Sequence, residues 1–493
     1  MKARVSRRQF LSAGAVAGAG LMLGDLIPPR ALAATTRPAL PPTGANAPFD
    51  HVVVCMMENR SFDHFLGWLP GANGLQAGLS FVDKAGVRYP TYNLGTDYEG
   101  CGYADPDHSW QGGLAEYNGG AMDGFLKSTV SVAGDTFPIG YYTQDTINVL
   151  ASLVQGFGTS DNYFCSILAA TYPNRFYQHS AQTDRDSTTS SPQSTLPAIW
   201  DQLTPLTSTP VTGTVTGRYY STDLPFLALW VNKYANFTFP FSQFLTDCQS
   251  GQLPNVAYVD PEFLGEGQGF SRDDHPHADV RAGEYFINQV YTAVRNSPAW
   301  NRTVLVINYD EWGGFYDHVP PPHVIDDKPL ASNPQLDTTR LGFRVPLAVI
   351  SPLVPKGTLI SGGAPFEHTS VLKMIEWRFG LNPVAGPNGR DAHARNLAEF
   401  LDLQTPPRTD VITPPVPATV TSTPCGPNNS TPHPPAAIVP EIPWTPGLTV
   451  GGAAVAAGWM AKEMRTRTRA RTPADAQVVD ALEGEAETAG RQM

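Results

Sequence analysis

The chain has few cysteines, and none of them is spaced for metal binding or for thiol redox chemistry. Five cysteines occur in 493 residues. No two of them form the C-x-x-C pattern of zinc knuckles and thioredoxin-type sites, which argues against both kinds of site. In an oxidising compartment we expect one or two disulfides and at least one thiol left over. The pairing stays open among Cys55, Cys101, Cys165, Cys248 and Cys425.

The chain also lacks an excess of basic residues. It holds 33 Lys and Arg against 45 Asp and Glu, and its net charge is −12. Residues 1–33 contain five basic residues and one acidic residue, so the remainder is more acidic still. Because the phosphate backbone attracts basic surfaces, we predict no nucleic-acid partner. A small or interfacial phosphate ester remains compatible, since local cations can offset the overall field.

Long apolar runs are missing beyond the N-terminus. No later run approaches the roughly 20 residues of a membrane helix, so at most peripheral membrane contact is expected. The N-terminus has Arg7 and Arg8 before Phe10, then an Ala- and Gly-rich apolar core and small residues up to Ala33. This order predicts a twin-arginine export signal over residues 1–33, read by the twin-arginine export machinery, and a secreted or cell-envelope protein. An ordinary secretory signal or an uncleaved anchor is the alternative.

Composition divides the remaining chain into three parts. Residues 34–48 are rich in Pro, Thr and Ala and are predicted to form an extended leader. Residues 49–405 carry the apolar runs and are long enough for one large core. Residues 406–493 are first proline-rich and then charged, with a basic cluster followed by an acidic one. We predict that this last part is a solvated, partly disordered tail.

Strand and helix signals alternate along residues 49–405. Apolar strand candidates follow Asp50 and Arg302 and recur at 256–259 and 345–350, while helical spacing marks 282–295 and 369–379. This alternation predicts an α/β fold with a mostly parallel central sheet and helices on both faces. Two Gly-, Ser- and Thr-rich stretches, 85–135 and 182–240, are too long for simple connections. We interpret them as loop insertions that form walls around a site.

Two of the strand candidates end abruptly in oxygen-bearing side chains. The first runs into Glu58 and Asn59, and the second runs into Asp310 and Glu311. If the two strands are parallel neighbours, these side chains converge at the carboxyl edge of one sheet, where open α/β sheets bind their ligands. Carboxylate and amide oxygens are the ligands that hard divalent cations prefer. The pattern therefore predicts a metal site at this edge.

Four ordered motifs carry a resemblance to a known family. They are Met57-Glu-Asn-Arg-Ser-Phe-Asp-His64, Thr171-x-Pro-Asn-Arg175, Asp274-His-Pro276, and Asp-Glu-x-Gly-Gly-Phe-x-Asp-His-Val-Pro-Pro-Pro over 310–322. The chain resembles the bacterial phospholipase C and acid phosphatase family, which belongs to the alkaline phosphatase-like superfamily. The resemblance covers about residues 49–400. It implies an alkaline phosphatase-like fold and hydrolysis of phosphate esters.

The resemblance also implies a site with one divalent metal ion. Its implied ligands are Glu58, Asn59, Thr171, Asp310 and Glu311. The implied nucleophile is the hydroxyl of Thr171, which is weak unless a metal or a base activates it. Attack on phosphorus then gives a phosphothreonine intermediate that water hydrolyses. All-oxygen ligation favours calcium, magnesium or manganese, and zinc also stays open.

The other catalytic candidates are two histidines and one arginine. We predict that His275 and His108 protonate the leaving oxygen and steady the phosphate oxygens, because histidine titrates near neutral pH. Arg175 is predicted to contact the same phosphate or to fix the loop. The other histidines of the motifs have weaker signals: His277 and His318 are open between direct and supporting roles. His64 is predicted to brace the loop of Glu58, and His368 to begin a helix.

Each candidate also has a structural interpretation. Glu58 and Asn59 fit the start of a helix, where an acid or a cap stabilises by about a kcal/mol or less. Asp310 and Glu311 fit structural ion pairs, although two adjacent acids followed by Gly-Gly suit a metal site with close backbone approach. Thr171 fits an ordinary turn before a proline. The agreement of four motifs favours the catalytic interpretation for all of them.

Three functions follow from this reasoning. The leading prediction is a secreted, metal-dependent phospholipase C that releases diacylglycerol and a phosphorylated head group. The alternative is an acid phosphatase with the same site, because longer phospholipases of the family carry C-terminal β-domains where this chain has a proline-rich tail. Thr171 argues against sulfatase chemistry, since threonine cannot form the formylglycine aldehyde. A non-catalytic envelope protein that binds solutes or glycans is the remote alternative.

Overall fold

The computed structural model describes residues 39–95, 97–128, 134–206, 213–417 and Cys425. The predicted export signal over 1–33 lies outside the described residues, as does the charged end of the tail. In chain order the strands are β1 His51–Met57, β2 Ser80–Val82, β3 Arg88–Pro90, β4 Tyr92–Asn93, β5 Gly140–Tyr141, β6 Gly158–Ser160, β7 Thr204–Pro205, β8 Thr216–Ser221, β9 Thr238–Pro240, β10 Val256–Asp260, β11 Thr303–Tyr309, β12 Leu347–Ile350 and β13 Thr358–Ile360. The α-helices are α1 Phe62–Leu66, α2 Trp110–Tyr117, α3 Asn148–Gly156, α4 Thr171–Ser180, α5 Phe241–Ser250, α6 Val280–Arg295, α7 Thr369–Phe379 and α8 Arg390–His393.

Nine strands form the central sheet. Their order is β13-β6-β12-β11-β1-β10-β8-β7, and β9 pairs with β8. Every pair is parallel except the two made by β12, which is antiparallel to β11 and to β6. The predicted α/β class with a mostly parallel sheet is therefore confirmed. β1 is central, with β10 on one side and β11 on the other.

Both faces of the central strands are covered. Alternate side chains of a strand point to opposite faces, yet all seven residues of β11 and all but His51 of β1 are buried. This burial explains their nearly continuous apolar sequences, which are typical of parallel strands in an α/β sheet. The helices form two packing groups, one of α3, α5 and α6 and the other of α4, α7 and α8.

The structure corrects the interpretation of residues 182–240 as a loop insertion. This stretch supplies β7, β8 and β9, and β8 pairs in parallel with β10 over five residues. The sequence of β8, Thr-Gly-Arg-Tyr-Tyr-Ser, lacks an apolar run because part of its burial comes from large aromatic rings, including Tyr219 and Tyr220. The stretch over 85–135 does behave as an insertion, because its described residues pair only in small two-stranded sheets.

The described residues 406–417 are irregular and mostly exposed, as predicted for this part, but hydrogen bonds hold them to the domain. The Arg408 N–H donates to the Pro352 carbonyl at 2.8 Å. Tyr291 donates its hydroxyl to the Ile412 carbonyl at 2.7 Å. Further along, Cys425 forms a disulfide with Cys101. The tail is therefore bound to the domain at both ends of its described part, and the three remaining cysteines are buried thiols.

No helix within the described residues combines the length and the apolar character that crossing a membrane requires.

Candidate active site

A tight turn follows β1 and carries Glu58 and Asn59. Asn59 has a left-handed backbone (φ 59°), a conformation that asparagine adopts more readily than most residues. The turn packs against Gly313, where a Cβ atom would lie 2.1 Å from the Asn59 carbonyl oxygen. Only glycine fits this approach, and its φ of 62° is also left-handed. The Gly-Gly pair after Asp310 and Glu311 thus serves the close backbone approach that the sequence indicated.

The ends of β1 and β11 are joined directly. The two strands are parallel neighbours in register from His51 with Thr303 to Met57 with Tyr309. Asp310 Oδ1 accepts hydrogen bonds from the Asn59 N–H at 3.1 Å and from the Glu311 N–H at 2.7 Å. The predicted convergence of these motifs at the carboxyl edge of the sheet is therefore confirmed.

Thr171 is the first residue of α4 and points to this edge. Its hydroxyl donates to Glu58 Oε1 at 3.1 Å, although the two residues are 113 positions apart. The preceding loop is held by Asn174, whose side-chain amide donates to the carbonyls of Ile167 and Ala169 at 3.1 and 2.7 Å. Asn174 in the Thr-x-Pro-Asn-Arg motif thus fixes the loop that presents the hydroxyl. Only 3% of Thr171 is exposed.

Arg175 lies one helical turn after Thr171 and therefore on the same face of α4. Its Nε donates to Asp310 Oδ2 at 3.0 Å, and its guanidinium lies 3.7 Å from Glu58 and 3.8 Å from Asp260. Burial opposes the charge, but these three carboxylates dominate and raise the pKa of Arg175. The guanidinium is thus paired with protein carboxylates, which favours the loop-fixing role over direct phosphate contact.

The structure adds two carboxylates that the sequence interpretation missed. Oxygen atoms of Glu58, Glu266 and Asp273 lie within 4.8 Å of one another, and all three side chains are buried. Burial and the charges of Glu266, Asp310 and Asp273 raise the pKa of Glu58 well above its usual value. Asp273 Oδ2 accepts no hydrogen bond within the described residues. Such a concentration of buried oxygen ligands fits a hard divalent cation, which would offset their repulsion.

Asp273 lies beside a recognisable sequence motif, whereas Glu266 does not. Asp273 immediately precedes the Asp274-His-Pro276 motif, but the sequence analysis assigned it no role. Asp274 turns away from the cluster, with φ 77°, and accepts a hydrogen bond from the Tyr309 hydroxyl. Glu266 lies in a Gly-rich turn with no motif, and only the chain path brings it to Glu58.

The two predicted catalytic histidines lie in adjoining segments. His275 is buried, its N–H donates to Asp273 Oδ1 at 2.9 Å, and its Nε2 lies 3.7 Å from Asp105 Oδ2. His108 is also buried, with Nδ1 2.8 Å from the carbonyl oxygen of Pro106. The segment over 105–108 thus supports one histidine and contributes the other. Their catalytic roles remain predictions.

Three other histidines of the predicted motifs and helix starts hydrogen-bond to backbone carbonyls or to an arginine near the site. His64 is buried, and its Nε2 accepts from Arg60 at 2.9 Å. Because Arg60 also donates to the Asp274 carbonyl, His64 connects the Glu58 turn with the Asp273 segment. His368 immediately precedes α7, as predicted, and its Nε2 lies 3.0 Å from the Tyr309 carbonyl. His277 Nε2 lies 3.1 Å from the Tyr103 carbonyl.

His318 belongs to a second group of ligand-type side chains, with Asp63 and Asp317. This group already contains a buried cation, because Arg344 donates to Asp317 at 2.9 Å and to Asp63 at 3.2 Å. Asp63 also accepts from the Leu75 N–H at 2.9 Å. The group is therefore an ion-pair network that ties motifs together, and it supports a structural role for His318.

Comparison with known proteins places the chain in a family. The family model described as "Phosphoesterase family" matches residues 49–382. The chain belongs to the phosphoesterase family. It is therefore a hydrolase that acts on phosphate ester bonds, and the non-catalytic alternative has no support.

The phosphoesterase is similar to phospholipases C from two kingdoms. It is 31% identical over 463 residues to phospholipase C A of Mycobacterium tuberculosis, covering 82% of this chain and 86% of that protein. It is 32% identical over 393 residues to non-specific phospholipase C6 of Arabidopsis thaliana, covering 74% of each chain.

Among solved structures the likeness is weak. The lipoteichoic acid synthase LtaP of Listeria monocytogenes matches with a TM-score of 0.34 and 9% identity, over 71% of this chain and 76% of that one. The phosphonate monoester hydrolase of Agrobacterium radiobacter matches with a TM-score of 0.35 and 10% identity, over 72% and 78%.

Proposed function

We propose that the protein is an exported, metal-dependent phospholipase C that cleaves phospholipids into diacylglycerol and a phosphorylated head group through a phosphothreonine intermediate. The observation that carries the proposal is the placement of the Thr171 hydroxyl on Glu58 at the carboxyl edge of the sheet. The phospholipase C relatives, which match over most of the chain, support the lipid substrate.

The metal would be held by Glu58 together with the neighbouring carboxylates. The predicted set of Glu58, Asn59, Thr171, Asp310 and Glu311 and the observed cluster with Glu266 and Asp273 share Glu58. A divalent cation bound there supplies charge neutralisation for the phosphate and lowers the pKa of a nearby hydroxyl. The carboxylates and the residues around them would hold the cation in position for this chemistry.

The residues of the chain provide the attack, the anion site and the proton. The Thr171 hydroxyl gives its proton to Glu58 Oε1 as its oxygen bonds to phosphorus, the bond to the glycerol oxygen breaks, and His275 or His108 gives that oxygen a proton. The first N–H groups of α4 offer favourable partners to a phosphate, because a helix N-terminus carries partial positive charge. Water then hydrolyses the phosphothreonine and restores the hydroxyl.

Two exposed apolar side chains at the rim favour a lipid substrate. Leu264 and Phe270 are 44% and 40% exposed and flank Glu266 on the same loop. The loop folds back on itself, since the Phe270 N–H donates to the Gly265 carbonyl at 3.1 Å. The neighbouring Phe263 faces inward, with its ring 4.4 Å from the guanidinium carbon of Arg175. The rim therefore offers apolar contact next to a buried polar site.

Export is supported by the twin-arginine pattern and by the Cys101–Cys425 disulfide. Disulfides persist in oxidising compartments and are rare in the reducing cytosol. Cleavage after residue 33 and a secreted or envelope location remain part of the proposal.

The substrate is tested by incubating the pure protein with phosphatidylcholine vesicles and, separately, with an aryl phosphate monoester. We expect diacylglycerol and phosphocholine from the vesicles. Exclusive cleavage of the monoester would contradict the phospholipase proposal and establish the acid phosphatase alternative. Release of free phosphate from the vesicles without diacylglycerol would also contradict it.

The rim is tested with the double variant Leu264→Ser and Phe270→Ser. We expect the rate on phosphatidylcholine vesicles to fall at least about tenfold, because each buried Leu or Phe side chain contributes roughly 1.5–3 kcal/mol to apolar contact. The rate on a soluble aryl phosphate or phosphonate ester should stay unchanged. Val411→Ser is the matched control, since Val411 is 55% exposed and lies in the tail beside Ile412, which packs on Gly156 at the opposite edge of the sheet. Equal losses of rate on vesicles and on the soluble ester would show that Leu264 and Phe270 affect only the folding of the protein.

A further inference from the structure

The site depends on an irregular segment between β10 and α6. Residues 261–279 carry Glu266, Asp273 and His275, yet their only helical element is a three-residue turn over Glu266–Gln268. Hydrogen bonds to its backbone carbonyls fasten the segment to the Glu58 turn: the Glu58 N–H donates to Asp273 at 2.8 Å, and the Arg60 side chain donates to Asp274 and His275 at 2.6 and 3.2 Å. A segment with so little regular secondary structure keeps its geometry through such contacts with neighbouring parts of the chain.

Part of that support comes from the disulfide of the tail. The Cys425 N–H donates to the Gln268 carbonyl at 2.8 Å, two residues from Glu266. The sulfur atoms of Cys101 and Cys425 lie 4.0 and 3.9 Å from the carbonyl oxygen of His277. The disulfide thus lies against the segment at two points, one beside Glu266 and one just beyond His275.

We infer that the Cys101–Cys425 disulfide is a redox-sensitive clamp that positions Glu266, Asp273 and His275 for cation binding and catalysis. The inference rests on the proposed function of the same site and adds its regulation. Cys425 lies 324 residues after Cys101 in the sequence, so the clamp makes a distant residue of the tail part of the site.

Reduction would act at this bond alone. A dithiol gives two electrons and two protons to the disulfide, which becomes two thiols while the dithiol becomes a disulfide. Cys101 and Cys425 are partly exposed. Cys55, Cys165 and Cys248 are buried thiols, and burial raises their pKa, so they are poor thiolates at neutral pH.

The clamp differs from a purely structural disulfide in what its loss changes. A bridge between distant residues stabilises the whole fold by restricting the unfolded chain. Loss of such a bridge lowers the free energy of unfolding and leaves the folded site intact. Loss of a clamp instead weakens cation affinity in the folded protein and loosens residues 261–279 selectively.

The experiment compares three samples of the full-length protein, each stripped of metal. They are the oxidised protein, the protein after reduction by dithiothreitol and alkylation, and the variant Cys425→Ser. Calorimetric titration with Mn²⁺ measures cation affinity, and hydrogen exchange measures local opening. We expect the dissociation constant for Mn²⁺ to rise roughly 10- to 100-fold, as when supporting residues of metal sites are lost. Exchange should accelerate in 261–279 and stay unchanged in β1 and β11. Cys248→Ala, which removes a buried thiol, is the matched control and should bind Mn²⁺ as the parent does.

Unchanged Mn²⁺ affinity after reduction would overturn the inference, and so would exchange that rises equally throughout the sheet. If Cys425→Ser fails to fold, reduction of the folded parent gives the same measurement. Neither readout is phosphoesterase activity. A protein that cleaves neither phosphatidylcholine nor a monoester would contradict the proposed function, whereas Mn²⁺ binding and hydrogen exchange would still test the clamp.

Discussion

Replacing Thr171 by alanine should abolish turnover while leaving the fold intact. The variant loses the oxygen that we expect to attack phosphorus, and removal of a nucleophile lowers kcat on the order of 10⁴-fold or more. The hydroxyl donates a hydrogen bond to Glu58, and loss of a buried hydrogen bond should change the free energy of unfolding by only about 1–3 kcal/mol. The value of kcat on the preferred ester measures the loss of turnover. The circular dichroism spectrum and the melting temperature measure whether the fold is intact.

Thr171→Ser is the matched control for this variant. Serine keeps the hydroxyl at the start of α4, so we expect a measurable rate and the same hydrogen bond to Glu58. Rapid acid quenching of the parent during turnover, followed by mass spectrometry, should locate a phosphoryl group on Thr171. An unchanged rate in Thr171→Ala would refute the nucleophile, and a phosphoryl group on another residue would do the same.

Replacing Arg344 by methionine should destabilise the protein by about 3–5 kcal/mol, because the change leaves buried carboxylates without their cation. Arg344 is fully buried and donates to Asp317 at 2.9 Å and to Asp63 at 3.2 Å. Burial already raises the pKa of Asp317 to about 6 although Arg344 lowers it. Without the guanidinium the Asp317 carboxyl group should bind its proton more tightly, and the loss of stability should be smaller at pH 5 than at pH 8.

Arg302→Met is the matched control, since Arg302 pairs with Asp50 at the surface and its side chain is 60% exposed. An exposed pair contributes about 0–1 kcal/mol, so this variant should unfold with nearly the parent free energy. Urea unfolding of both variants measures the difference. Equal effects would contradict the buried-network interpretation. Rescue of Arg344→Met by a divalent cation would instead point to a metal at Asp63, Asp317 and His318.

Much of the fold was predictable from local patterns. Continuous apolar runs predicted β1 and β11, because strands buried on both faces need apolar residues at every position. The helix predicted over 369–379 matches α7 at both ends, where His368 precedes it and Gly380 follows it in a left-handed conformation. β8 escaped prediction because its pairing with β10 and its packed aromatic rings, rather than an apolar run, bury it.

The site was predictable where motifs lie at the ends of regular elements. Glu58 follows β1, Asp310 follows β11 and Thr171 begins α4, so the geometry of a parallel sheet brings them to one edge. Glu266 and Asp273 lie on an irregular segment whose path no periodicity describes. Distant parts of the chain contact this segment, and Cys425, whose N–H donates to the Gln268 carbonyl, is one of them.

By itself, then, the sequence determined the α/β class, the family and the three motif residues Glu58, Thr171 and Asp310, because each depends on local hydrophobic pattern and local residue type. Only the tertiary structure decided that Arg175 pairs with carboxylates, that Glu266 and Asp273 lie beside Glu58, and that Cys425 is bonded to Cys101. These features depend on distances between residues far apart in the chain. Such distances follow from packing, which no short stretch of sequence encodes.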